Sequence, residues 1–193
     1  MVEAESAPDE KLARPIRDEE GVMDEGFVEQ VSQAVLLSDL TTLRDLVGDL
    51  HEADLGGLLE ALDSEERPKL ISLLGGDFDF TALTEVDDAV REEILDELSP
   101  ETVAEGVREL DTDDAVYILE DLDEADKKEI LVRLSPAERS VLQQGLDYPE
   151  GSAGRRMQAE LIAVPPFWTV GQTIDYLRDT QDLPERFFEI FVA

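Results

Sequence analysis

The chain has 193 residues, 42% of them apolar, enough for one buried core and a small additional piece. Forty-nine acids against 16 bases leave a net charge of −33, which argues against a phosphate-binding face for nucleic acid and against anionic membrane surfaces. There is no Cys, so disulfides, zinc-thiolate sites and thiol nucleophiles are excluded. No run approaches the roughly 18 apolar residues of a membrane span, and the polar, acidic N-terminus is not a signal peptide.

Only four of the bases are Lys: Lys11, Lys69, Lys127 and Lys128. Scarce Lys and abundant Asp fit a solvated surface adapted to a high-salt cytoplasm, where self-repulsion is screened. Cation binding at particular clusters is compatible with that reading.

Residues 1–26 carry Pro8, Pro15 and many acids without periodicity, and are expected to form a disordered acidic tail. Helical spacing begins with Phe27, Val28, Val31, Val35 and Leu36. After Ser38 and Asp39 it resumes with Leu40, Leu43, Leu46, Val47 and Leu50.

From Leu50 an apolar residue then recurs every twelve positions: Leu62, Leu74, Val86, Leu98, Leu110, Leu122, Leu134 and Leu146. Most units open on a capping-type residue and an acid. Ser99-Pro100-Glu101 and Ser135-Pro136-Ala137-Glu138 are the clearest, with an N-cap, a Pro at the first helical position and an acid in the first turn. Each unit therefore predicts one helix of eight or nine residues, about 13 Å long at 1.5 Å per residue. Such helices are marginal alone and must be held by neighbours. The expected fold is all-α, a right-handed superhelix of short repeats over 27–147. The stretch Gly75-Gly76-Asp77-Phe78-Asp79-Phe80 breaks the pattern and predicts a longer loop with aromatic plugs.

Residues 148–159 read as a connector. Gly151 to Gly154 followed by Arg155-Arg156 superficially suggests a phosphate cradle, but a flexible connector is the better reading. Residues 160–193 predict a short strand at Leu161, Ala163 and Val164, a helix capped by Thr169, and a buried strand over Phe187–Val192. The chain ends within that strand, as a piece of a longer protein would.

Catalytic signals are thin. The single histidine, His51, starts a repeat unit beside Glu52 and Asp54, where a helix-start surface residue is a better reading than a ligand or base. No nucleophile–base set, P-loop or dinucleotide fingerprint is present, so no enzymatic activity is expected. Acid clustering is stronger: Glu109, Asp111, Asp113, Asp114, Glu120, Asp121, Asp123, Glu124 and Asp126 occur without an intervening base. They fall at turns, where several could converge. Magnesium keeps several waters and needs only one or two direct carboxylates. Composition by itself favours a solvated acidic face over an ion site.

Three segments carry a family resemblance. The run Leu110-Asp-Thr-Asp-Asp-Ala-Val-Tyr-Ile-Leu-Glu-Asp-Leu122 resembles the N-terminal domain of MgtE-type magnesium transporters, and so does Tyr148-Pro-Glu-Gly-Ser-Ala-Gly-Arg-Arg-Met157. Ala163-Val164, Trp168-Thr169-Val170 and Tyr176-Leu177-Arg178 resemble the opening of a cystathionine-β-synthase (CBS) domain. The resemblance covers roughly 30–193. It implies a superhelical N domain and a partial CBS domain on the cytoplasmic face of the cell membrane. It also implies magnesium bound between facing carboxylates, closing a pore carried by the transporter's own CBS and transmembrane domains, and a homodimer formed through the full-length protein. Asp113 and Asp114 match the family's Asp-Asp pair as metal ligands, with Asp113 expected to face the CBS side. The stretch Asp77–Asp88 departs from the pattern, and no ligand is assigned there. The competing reading is a metal-independent helical scaffold for protein interactions, as in motor-switch or adaptor proteins.

Overall fold

Polar caps divide the chain into short helices, and the computed structural model shows where each begins. It describes residues 16–17, 21–159, 161–180, 183, 187 and 189–193. Among these are ten α-helices. The first four are α1 (Glu25–Leu37), α2 (Leu40–Val47), α3 (Glu52–Ala61) and α4 (Glu66–Leu74). After two 3-10 turns, Gly75–Asp77 and Phe80–Glu85, come α5 (Asp88–Glu97), α6 (Pro100–Arg108), α7 (Thr112–Glu120), α8 (Glu124–Arg133) and α9 (Pro136–Asp147). A 3-10 turn at Ala153–Arg156 leads to β1 (Ile162–Val164), α10 (Val170–Asp179) and β2 (Ile190–Val192).

The caps are those the sequence announces. Ser99 accepts from the Thr102 N–H at 3.2 Å, and Pro100 is the first residue of α6. Ser135 and Glu138 close a reciprocal capping box at 3.3 and 2.7 Å. His51 is the N-cap of α3, its Nδ1 accepting weakly from Ala53 at 3.4 Å, in line with a surface helix-start role.

The twelve-residue apolar position has a structural meaning. Leu98, Leu110, Leu122 and Leu134 each stand immediately before an N-cap, closing one helix and turning the chain into the next. Leu62, Leu98 and Leu134 are extended C-cap residues and are buried. A buried or part-buried apolar side chain at each turn ties the turn to the core, so the helices stack instead of splaying. Helices two apart meet: α6 packs on α8 and α7 on α9. One core, from Met23 to Leu142, runs through the stack.

Three arginines reinforce alternate turns. Arg67 donates to the carbonyls of Leu59 (2.8 Å) and Leu62 (3.1 Å). Arg91 donates to those of Leu83 and Val86, at 3.3 and 3.4 Å. Arg139 donates to those of Leu131, Val132 and Leu134, at 2.7, 2.9 and 3.1 Å. Each guanidinium satisfies carbonyls that a terminating helix leaves open, and its charge suits the negative end of the helix dipole.

Four expectations are revised. Most of the acidic tail, residues 1–15 and 18–20, lies outside the described residues. The described part of that segment is docked, not loose: Arg17 bridges to Met23, pairs with Asp54 at 2.6 Å, and Met23 is buried. The expected aromatic loop is two 3-10 turns, with buried Phe78 and Phe80 in an edge-to-face pair 5.5 Å apart. Among the described residues of the expected strand Phe187–Val192, strand is formed at Ile190–Val192, parallel to β1 with Ile162 opposite Ile190. It is not buried: Phe191 is 50% and Val192 68% exposed. The described residues of this α/β half form two strands and one helix. Leu36, expected on the inner face of α1, is exposed because the buried stripe passes through Phe27, Val31, Ala34 and Val35.

Candidate metal-binding face

The acid pair occupies the first turn of α7. Asp111 is the N-cap, followed by Thr112, Asp113 and Asp114. At four other Asp N-caps (Asp24, Asp39, Asp87 and Asp123) the carboxylate accepts from a backbone N–H of its own helix. Asp111 makes no such bond. Its Oδ2 instead accepts from the side-chain amide of Gln158 at 3.2 Å.

Asp113 buries its Oδ1, and that oxygen has no hydrogen-bond partner. A buried carboxylate oxygen left unsatisfied is costly and calls for an explanation such as an ion or a proton. Asp114 beside it is part-buried. Burial pushes its pKa up, and the negative charges of Asp113, Asp111, Glu85 and Glu52 push in the same direction. Glu52 comes from the first turn of α3 and Glu85 from the end of the second 3-10 turn, elements that pack on each other and bring these two acids toward α7. Glu85 and Glu52 were not legible as partners of Asp114. Both are separated from it by whole repeat units, and only the packing of α3 on the second 3-10 turn, and of that turn on α7, brings them near.

The other acids of the cluster serve different ends. Asp121 pairs with the buried Arg91 at 2.6 Å. Glu120 pairs with Arg155 at 2.9 Å and Arg156 at 2.8 Å. Asp123 caps α8, and Glu124 meets Lys127 at 3.3 Å. Arg155 and Arg156 are therefore neither a phosphate cradle nor part of a loose connector.

Among the described residues, no group of three or more His, Cys, Asp or Glu comes close enough to hold a metal ion. Asp113 and Asp114 offer hard carboxylate oxygens, one of them buried and unsatisfied, which suits one side of a magnesium site completed from outside this domain. No helix among the described residues is long and apolar enough to cross a membrane.

A stack of short capped helices carrying an unbalanced acid pair, followed by a β-α-β segment, defines a helical-superhelix domain. Residues 50–151, just over half of the chain, match the family described as the MgtE intracellular N domain, and the chain belongs to that family. It is 26% identical over 160 residues to the magnesium transporter MgtE of Bacillus subtilis (strain 168), covering 82% of this chain and 36% of that protein. The chain thus spans about a third of the length of that curated relative. The solved structure of the cytosolic domain of the Mg2+ channel MgtE in complex with ATP is similar, with TM-score 0.72 and 26% identity. The match covers 86% of this chain and 68% of that one. The soluble part of a magnesium transporter shares the fold, with TM-score 0.66 at 24% identity over 88% of this chain and 67% of that one.

Proposed function

We propose that this domain is the cytoplasmic magnesium sensor of an MgtE-type transporter, with Asp113 and Asp114 supplying one side of an ion site shared with a CBS domain. The supporting observation is the buried, unpartnered Oδ1 of Asp113 beside the destabilised charge of Asp114. A divalent cation would relieve both at once. Because the ion binds the closed arrangement more tightly than the open one, its concentration sets the balance between them. Without it, facing carboxylates repel and the domain moves away. The domain's task is regulation of ion flow carried by membrane segments elsewhere in the transporter, with the ion as the signal and no catalysis of its own.

The test is thermal unfolding of the chain in magnesium chloride against potassium chloride at one fixed high ionic strength. Stabilisation should saturate with magnesium and not with potassium, and Asp113→Asn with Asp114→Asn should remove the difference. A magnesium effect untouched by the double substitution would sink the assignment of Asp113 and Asp114, and identical behaviour of the two salts would sink a site that this chain completes by itself.

A further inference from the structure

The connector after α9 is built into the helical body. Gly154 lies so close to Tyr148 that a Cβ there would come within 2.6 Å of the ring. Arg155 is buried. It donates to the carbonyls of Leu146 and Tyr148 and to Glu120 at 2.9 Å. Arg156 reaches the other oxygen of Glu120 at 2.8 Å, and its guanidinium sits 4.7 Å from the centre of the Tyr117 ring. Arg91 lies 4.2 Å from the same ring centre. Two residues on, Gln158 donates to Asp111. Thus the C-terminal half of α7 holds Arg155 and Arg156, and its N-cap holds Gln158.

We propose that Glu120 and Tyr117 are positioning residues that latch the connector along α7, so that the chain leaves for the β-α-β half beyond Gln158 and not at Tyr148-Pro149. The latch places the acid pair and the departure point of the following segment on one rigid helix. A carboxylate oxygen satisfied by a charged donor, together with guanidinium–aromatic stacking, holds a segment better than backbone bonds alone. Its consequence for sensing rests on the proposed function: a connector locked to α7 would carry any movement at Asp113 directly to the next domain. The latch itself contains no ion.

The experiment uses the whole chain with magnesium chelated and potassium chloride fixed. Hydrogen exchange is followed at the amides of Ser152 to Met157. Spin labels at Lys128→Cys and Asp175→Cys, in a chain with no other cysteine, report the α8–α10 distance. The parent should protect these amides and give one narrow distance distribution. Glu120→Gln should speed their exchange at least tenfold and broaden the distribution. Arg156→Gln, at a part-exposed position, should do the same to a smaller degree while α5 and α6 keep their protection. Unprotected Ser152–Met157 amides in the parent would overturn the latch, and so would variants that change neither readout. Protection that appears only when magnesium is added would also overturn it, while leaving the sensing reading intact.

Discussion

Arg91 and Asp121, thirty positions apart, meet at 2.6 Å with the guanidinium only 1% exposed. Arg91 also donates to Asp88 at 2.8 Å and to two carbonyls, and it stacks on Tyr117. Burial opposes its charge, yet the hydrogen bonds and charge of Asp121 and Asp88 outweigh that and raise its pKa. The charge is therefore fully partnered, and removing one partner should hurt more than removing both. Asp121→Asn should destabilise the domain by about 3 kcal/mol or more, because it leaves a buried cation under-compensated. Arg91→Met combined with Asp121→Leu should cost less than Asp121→Asn alone. Urea unfolding in high salt measures both; a double variant as unstable as the sum of the singles would refute this account.

Asp114 makes a pH prediction of definite sign. Its folded pKa lies above the unfolded value, so the folded state holds the proton more tightly. Folding stability therefore falls as pH rises from the ordinary Asp range through the folded pKa, then stays level with the penalty fully developed. Asp114→Asn should stabilise the chelated protein at neutral pH, with the gain shrinking to nothing at pH below the ordinary Asp value. Unfolding measured across pH 3–8 tests this. A variant less stable than the parent at pH 7 without divalent cations would contradict it.

The repeat, its caps and the acid pair were legible in the sequence because they are local: an N-cap, a proline and a first-turn acid act within four residues. What escaped was set by stacking. Nothing near Glu120 in the chain points to Arg155 and Arg156, and Glu85 and Glu52 join Asp114 only when α3 packs on the second 3-10 turn and that turn on α7. The exposure of β2 was hidden for a related reason. A run such as Phe191-Val192 signals a strand that wants cover, but a sequence pattern does not say whether the covering layer is present.

Gly106 in α6 faces the ring of Phe80, and a Cβ there would come within 2.2 Å of its nearest ring carbons. Helix propensity alone favours alanine by about 1 kcal/mol, yet overpacking a filled core costs about 1–3 kcal/mol. Because Phe80 is buried and held edge-to-face by Phe78, the clash should win. Gly106→Ala should lower stability, and Phe80→Leu in that background should cost less than it does in the parent. Denaturant unfolding of the four proteins in a double-mutant cycle decides it; a stabilised Gly106→Ala would show that the ring yields freely.

The arginine hooks show that the working period of the stack is twice the apolar one. Arg67, Arg91 and Arg139 each stand five residues after a periodic apolar residue (Leu62, Val86 and Leu134), and each donates to that residue's own carbonyl. They fall on a 24-residue spacing with one gap, where buried Ala115 occupies the equivalent place in α7. The two kinds of site should respond in opposite ways. Arg139→Leu strands the carbonyls of Leu131, Val132 and Leu134, and should cost about 1 kcal/mol, because these acceptors are part-buried or exposed and water replaces some of the lost bonds. Arg139→Lys should recover only part of this, because one ammonium cannot reproduce the planar fork. Ala115→Arg should not add a hook. Ala115 is fully enclosed, so the larger side chain must displace the core and destabilise the domain more than Arg139→Leu does. Thermal and urea unfolding of the three variants test this, and an Ala115→Arg protein as stable as the parent would mean the gap in the series has no packing cause.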